Sequence, residues 1–323
     1  MGLLTGQTIV QSDFSQTSTG VANIVPKTNA QGKIDGSFLK FGGTGSDGAL
    51  NVSSGTNTID LAGASFVVKN YTSISITGIA SISFINPNTN GTQIIFNSQG
   101  AVTITSSTVP AIDLRNLGGS GGSGASSFNV NNTSGSGGGG GSGLGGNGTN
   151  GGGGTSAQPT GSSGGAYSPT MIGLNQTAAT GGGNATAGVG STITGGNTSS
   201  IPYYKLYNIP GSGGGGGQGA GSGGSTQNGA NGGRGGGALS IFCGGALNIT
   251  STINASGANG SSSGNNAGGG GGGGGGSIVI LYNSLTANTG TYTVAGGSAG
   301  TGGQNGGTGG NGYSLVAVNT EFA

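Results

Sequence analysis

An all-β fold is predicted: a short β-solenoid, or a small sandwich, followed by a Gly-rich region of β repeats and extended glycine runs, with essentially no α-helix. Three observations predict it. Of 323 residues 85 are Gly, charged residues make up only 4%, and short apolar bursts alternate with polar residues between turn signals. Such a chain has too few apolar side chains to organise its Gly-rich part around an ordinary core. Scarcity of charge argues against flexible coil as well, because disordered solvating segments are rich in Lys, Glu and Pro. Here Lys205 and Arg234 are the only charges between Asn116 and Thr320.

Composition changes near Gly42 and near Gly118 divide the chain into residues 1–44, 45–118 and 119–323. The first part carries Asp13, Lys27, Lys33, Asp35 and Lys40 within a mixed polar segment, and reads as an attachment or oligomerisation module. Its start, MGLLTGQTIVQSDFSQ, lacks the basic and continuous apolar regions of a secretory signal. Export by lysis, by a signal-independent route or within a virion is therefore expected for a protein that works outside the cell.

The second part holds the bursts TIDL (58–61), SFVV (65–68), SISI (73–76), SISFI (81–85), TQIIF (92–96), AVTI (101–104) and AIDL (111–114). Alternation with period two predicts strands with one buried face. Asn-Pro-Asn at 86–88, Asn90-Gly91 and Gln99-Gly100 separate them as turns. Stacked ladders of Ile, Val and Phe would follow in a solenoid.

The third part contains the runs Gly137–Gly141, Gly151–Gly154, Gly213–Gly217 and Gly268–Gly276. Two matching β-like segments begin at Gly237 and Gly276, 39 residues apart, and a partial copy begins at Gly312. Glycine runs can form extended left-handed helices of three residues per turn and about 3.1 Å rise, whose outward N–H and C=O groups bond neighbouring helices. Any larger side chain would push such helices apart. Gly137, Gly139, Gly141, Gly213, Gly215, Gly217, Gly268, Gly270, Gly272, Gly274 and Gly276 are the expected lattice positions. Apolar strands at 239–242, 278–281 and 314–318 would anchor the ends.

Several functions are excluded by composition. A net charge of +1 leaves no basic patch for nucleic acid or an acidic membrane surface, and no stretch is apolar enough to span a bilayer. With no His and with Cys243 as the lone cysteine, neither a zinc site nor a Ser-His or Cys-His nucleophile can be built, so no metal and no cofactor are expected. Gly-rich matches to phosphate-binding loops are chance products here, since no GK[ST] follows them. Asp47, Asp60 and Asp113 are the only acids available for a glycan-cutting pair in the solenoidal part, and Asp60 and Asp113 sit between apolar residues as outward strand positions do. No catalytic residue is assigned.

Two segments stand out as contact candidates. Ser200–Pro210 contains Tyr203, Tyr204, Lys205 and Tyr207 between two prolines, and tyrosine supplies a large amphipathic contact surface at low entropic cost. Tyr167 and Met171 form a weaker loop of the same kind. Packing of these aromatics on the glycine lattice or a neighbouring subunit is the alternative.

Runs such as GSGGGGGQGAGSGG at 211–224 and the glycines of 268–276, alternating with variable segments after a non-Gly N-terminal part, resemble the Gly-rich distal tail-fibre adhesins of T-even-like phages. Residues 20–41 are also similar to short modules of phage tail and fibre proteins. That resemblance implies a polyglycine II sandwich displaying variable loops, a cell-surface receptor of protein or glycan as partner, docking to a fibre protein through the N-terminal segment, and a virion or extracellular location. The interleaved β repeats are similar instead to Gly-rich bacterial surface proteins. They imply a homo-oligomer or polymer, a self-assembling filament or sheath whose partner is a copy of itself.

Overall fold

The computed structural model describes residues 41–124, 210–217, 228–264, 267–303 and 305–319, and the backbone alone of 220–222 and 225–227. It is all-β, with no helix among the described residues. Strands are β1 (Ala49–Asp60), β2 (Phe66–Tyr71), β3 (Ser73–Ile85), β4 (Gln93–Ser98), β5 (Val102–Ile104), β6 (Ile112–Asp113), β7 (Ala220–Ser222), β8 (Ser225–Gln227), β9 (Ala238–Ile249), β10 (Thr252–Asn254), β11 (Ser277–Asn288), β12 (Thr291–Thr293) and β13 (Tyr313–Val318). Except for the antiparallel hairpin β7–β8, these form one 11-stranded sheet in which every pairing is parallel.

The strands stack in tiers: β1, then β2 with β3, then β4 with β5 and β6, then β9 with β10, then β11 with β12, and last β13. Each strand pairs with its counterpart one tier on, as β2 does with β4, β4 with β9, β9 with β11 and β11 with β13. The sheet therefore crosses the compositional change at Gly118. The matching segments from Gly237 and Gly276 lie side by side, Ala238 against Ser277, and side-chain contacts such as Ser298 N–H to Asn259 Oδ1 repeat the 39-residue step.

Alternation decides which face is inside. In β4, Ile94, Phe96 and Ser98 are buried while Gln93, Ile95 and Asn97 are partly exposed. Because the pairing is parallel and in register, apolar residues stack on like residues: Leu50, Ile74, Val102 and Leu247 make one buried row, the partly buried Val52 with the buried Ile76, Ile104 and Ile249 another, and Phe96, Ile241 and Ile280 a third. On the outer face of β1 and β3, hydroxyls bond across the tiers, Thr56 to Ser81 at 2.9 Å and Thr58 to Ser83 at 3.0 Å. SISI and SISFI, two bursts in the sequence, belong to the single strand β3. Gly78 (φ 58) forms a bulge between them, where a Cβ would meet the Ser53 carbonyl oxygen at 2.4 Å.

The corners after β1, β3 and β6 use the left-handed region, at Ala62 (φ 49), Asn86 (φ 52) and Asn116 (φ 62). Asn tolerates that region, whereas Ala does so at a cost of roughly 1–2 kcal/mol. On the same corner Gly63 (φ 71) is also left-handed, and a Cβ there would meet nothing within 4 Å. Replacing Ala62 by Gly is expected to stabilise the protein by about 1 kcal/mol, a rise of roughly 2–4 °C in Tm, read by thermal denaturation.

Between tiers the chain runs out and back as extended rods: rod 1 (118–124), rod 2 (210–217), rod 3 (228–237), rod 4 (255–264), rod 5 (267–276), rod 6 (295–303) and rod 7 (305–312). Rods 2 and 3 are antiparallel neighbours, with Gly211, Gly214 and Gly217 N–H donating to Gly236, Gly233 and Ala230 carbonyls. Rods 4 and 5, and rods 6 and 7, pair in the same way. The rod ends Gly124, Gly217, Asn228, Gly264, Ala267, Gly303 and Asn305 therefore gather at one end, the tip, while Gly118, Pro210, Gly237, Gly276 and Gly312 lie at the base beside the sheet.

Hydrogen bonds between rods recur every third residue. In rod 5 the N–H groups of Gly270, Gly273 and Gly276 reach rod 4, those of Gly271 and Gly274 reach rod 2, and those of Gly272 and Gly275 reach rod 7. Its carbonyls at Gly268, Gly271 and Gly274 accept from rod 3, and those at Gly270 and Gly273 from rod 6. Side chains obey the same period. Ser120 and Ser123 in rod 1, Asn231 and Arg234 in rod 3, Ser298 and Thr301 in rod 6, and Thr308 and Asn311 in rod 7 each stand three residues apart. Glycine fills the positions between them because a Cβ there would enter a neighbouring backbone. At Gly297 it would come within 1.9 Å of the Ala258 oxygen, and at Gly309 within 2.0 Å of the Gly273 oxygen. From Gly268 on, rod 5 is glycine throughout and buried throughout, since it has rods on almost every side.

Candidate functional site

The junction of rods and sheet holds the only charge in the described rod layer. Arg234, on the outward phase of rod 3, extends past rod 1 to the 86–92 turn. Its Nε donates to the Gly118 carbonyl at 3.1 Å and its Nη2 to the Asn88 carbonyl at 2.7 Å. The guanidinium is half-buried, and burial pulls its pKa down. No carboxylate among the described residues pairs with it; its charge faces backbone carbonyl dipoles instead. A planar donor fork suits this clamp of two carbonyls on different segments.

The turn it grips is itself tied down. Asn88 Nδ2 donates to the Gly63 carbonyl at 2.8 Å, Thr92 Oγ1 donates to the Ala64 carbonyl at 2.8 Å, and Asn90 bridges to Gly119. Pro210 lies against the same turn: a Cβ on Gly91 would come 2.8 Å from the Pro210 Cβ. Pro210 ends the Tyr-rich segment singled out in the sequence, so that segment rejoins the described chain at the base, next to the Arg234 clamp. Tyr203, Tyr204, Lys205, Tyr207, Tyr167 and Met171 lie outside the described residues, as do Gly137, Gly139, Gly141 and all of 1–44 except 41–44. Phe41 stacks edge-on against Phe242, with ring centroids 5.9 Å apart.

Among the expected lattice glycines, Gly213, Gly215 and Gly217 fall in rod 2, and Gly268, Gly270, Gly272, Gly274 and Gly276 in rod 5; all are buried. The three acids do not come together. Asp47 accepts from the Asn70 N–H at 2.6 Å and lies 3.9 Å from Lys69 Nζ. Asp60 accepts from the Ala62 N–H and from Asn86 Nδ2, and Asp113 pairs with Arg115 at 2.7 Å. Each carboxylate holds its own corner. Cys243 is fully buried, and burial raises its pKa, which suits a packed small hydrophobe. In the sequence Arg234 stands out only as an isolated charge. Its place in the Gly-Gly-x phase of rod 3 was the available signal that it points out of the rod layer.

Ionisation leaves a wide stable range. Donors from Ala62 and Asn86 hold Asp60 below its ordinary value of 3.8, so its small contribution is present above that pH and is lost as pH falls. Burial pushes Tyr71 and Tyr292 up from 10.0 to about 12, so their contribution is intact below pH 10.0 and is lost as pH rises toward 12. With no His in the chain, Tm is expected to change by less than roughly 2 °C between about pH 5 and 9 and to fall above about 10, measured by calorimetry in a buffer series.

Compared with protein-family models, with curated proteins and with solved structures, the chain gives no match.

Proposed function

We propose that this chain is a non-enzymatic structural and adhesive protein of a virion or extracellular surface, a fibre-associated receptor-binding adhesin. On this reading the tiers of parallel strands are a short β-solenoid, and the rods are a polyglycine II lattice that stiffens it sideways. The observation that carries the reading is the three-residue hydrogen-bond repeat of rod 5, in which successive N–H groups turn to rods 4, 2 and 7. That repeat is the period of the polyproline II helix, and nine such residues span about 28 Å. A shaft with backbone groups bonded on most sides gives a rigid platform, and rigid platforms present binding segments at low entropic cost.

Residues 1–44 attach the shaft to a fibre or assemble the oligomer, and the Tyr203–Tyr207 segment contacts a protein or glycan receptor on a cell surface. Replacing Tyr203, Tyr204 and Tyr207 together by Ser is expected to reduce binding to target cells at least tenfold while leaving Tm unchanged. Unchanged binding in a folded variant overturns the recognition role.

A second reading, a filament or sheath subunit, is favoured by the open edges of the sheet. Among the described residues β13 pairs only with β11 and β1 only with β3. Exposed edges of this kind template pairing between copies. Electron microscopy of the purified protein separates the two: helical filaments support the second reading, and discrete particles oppose it.

A further inference from the structure

Bonds between rods fix the order of neighbours around rod 5. Rod 2 is bonded to rod 3, rod 3 to rod 4, rod 4 to rod 6, and rod 6 to rod 7; rods 7 and 2 are not bonded to each other. Around this ring, rod 2 accepts from rod 5, rod 3 donates to it, rod 4 accepts, rod 6 donates and rod 7 accepts. The gap between rods 7 and 2 is therefore the place for a donor. Rod 5 has the matching acceptors: among the described residues no donor reaches the carbonyls of Gly269, Gly272 and Gly275, one per turn, and all three residues are buried. Buried carbonyls are almost always paired.

Rod 5 has no outward side chain either. Rods 1, 3, 6 and 7 place a Ser, Asn, Arg or Thr at every third position, but rod 5 places glycine at all of 268–276. We propose that the gap is a docking groove for a further glycine rod, and that its occupant is the segment 135–143 of this same chain, GSGGGGGSG.

Topology and phase select this occupant. Rod 1 ends at the tip with Gly124, and rod 2, one wall of the groove, starts at the base with Pro210; the intervening chain must return along the whole height of the layer. Segment 135–143 has nine residues, as has 268–276, and spans the same length of about 28 Å in that conformation. Ser136 and Ser142 are six residues apart, two turns of three, so both fall on the phase that the other rods turn outward. Gly139 shares that phase, while Gly138 and Gly140 face the groove or its walls.

This inference rests on the lattice reading above, and its test separates the two in the full-length protein. Gly138→Val and Gly140→Val are each expected to lower Tm by about 5 °C or more and to speed amide exchange in rods 2, 5 and 7 at least tenfold, while Gly139→Val leaves both unchanged. Equal behaviour of all three variants, neutral or destabilising, overturns the docking. A Tm that rises with protein concentration, together with a dimer by light scattering, places the donor in a second copy and overturns it too. Destabilisation by Gly272→Val alone keeps the lattice and removes the docked segment; tolerance of Gly272→Val removes the lattice itself.

Discussion

Gly272→Val is expected to prevent the rod layer from forming. A Cβ at this position would lie 2.0 Å from the Gly297 oxygen, 2.6 Å from the Gly297 carbonyl carbon and 2.9 Å from the Gly309 nitrogen. All three atoms are backbone, on two different rods, so no rotamer change relieves the clash. Retreat of those rods breaks bonds that hold the layer: Gly272 N–H to Gly307, Gly297 N–H to Gly273 and Gly309 N–H to Gly297, each at 2.8 Å. A buried polar group left unpaired costs about 1–3 kcal/mol, so losing several removes much of a typical total stability of roughly 5–15 kcal/mol. Glycine ordering is itself entropically costly, which makes the layer all-or-none. The expected result is loss of the soluble folded protein, or a melt that begins far below that of the parent, by circular dichroism. Ser298→Val, on the outward phase of rod 6 and exposed, is the control and is expected to stay within about 0.5 kcal/mol.

Phe96→Ala carries the second large effect and acts on the sheet. Phe96 is fully buried, stands in a row with Ile241 and Ile280, and meets Tyr71 edge-on at 5.5 Å and Phe84 at 6.2 Å between ring centroids. Truncation removes the transfer energy of the ring, its aromatic contacts, and the support that neighbouring tiers cannot restore by moving, because their hydrogen-bond register fixes their spacing. The expected cost is about 3–5 kcal/mol, a fall of roughly 10 °C or more in Tm. Ile95→Ala, on the other face of the same strand, is expected to cost less than about 1.5 kcal/mol.

Period-two alternation was enough to locate β2, β4 and β5 and the two halves of β3, because alternation reports which face is buried. It also placed Asp60 and Asp113 outward. It missed most of β1, where ALNVSSGTN offers weak alternation; the ladder to β3 makes those residues a strand. Partners were not legible. A parallel strand pairs through its backbone, which is the same in every residue, so nothing in QIIF at 93–96 names a partner in ALSI at 238–241.

The same division holds for the glycines this protein is built from. That the runs can pack closely is legible from composition, and the Gly-Gly-x phase in GGSGGSG at 118–124 and GGTGGNG at 306–312 encodes how many sides of each rod face outward, since a side chain survives only where no backbone stands. Which rod stands on which side was decided by the tertiary structure alone, through bonds between identical N–H and C=O groups. So too for Arg234: its charge is visible in the sequence, but the Asn88 carbonyl it grips lies 146 residues away, brought there only because the tiers stack.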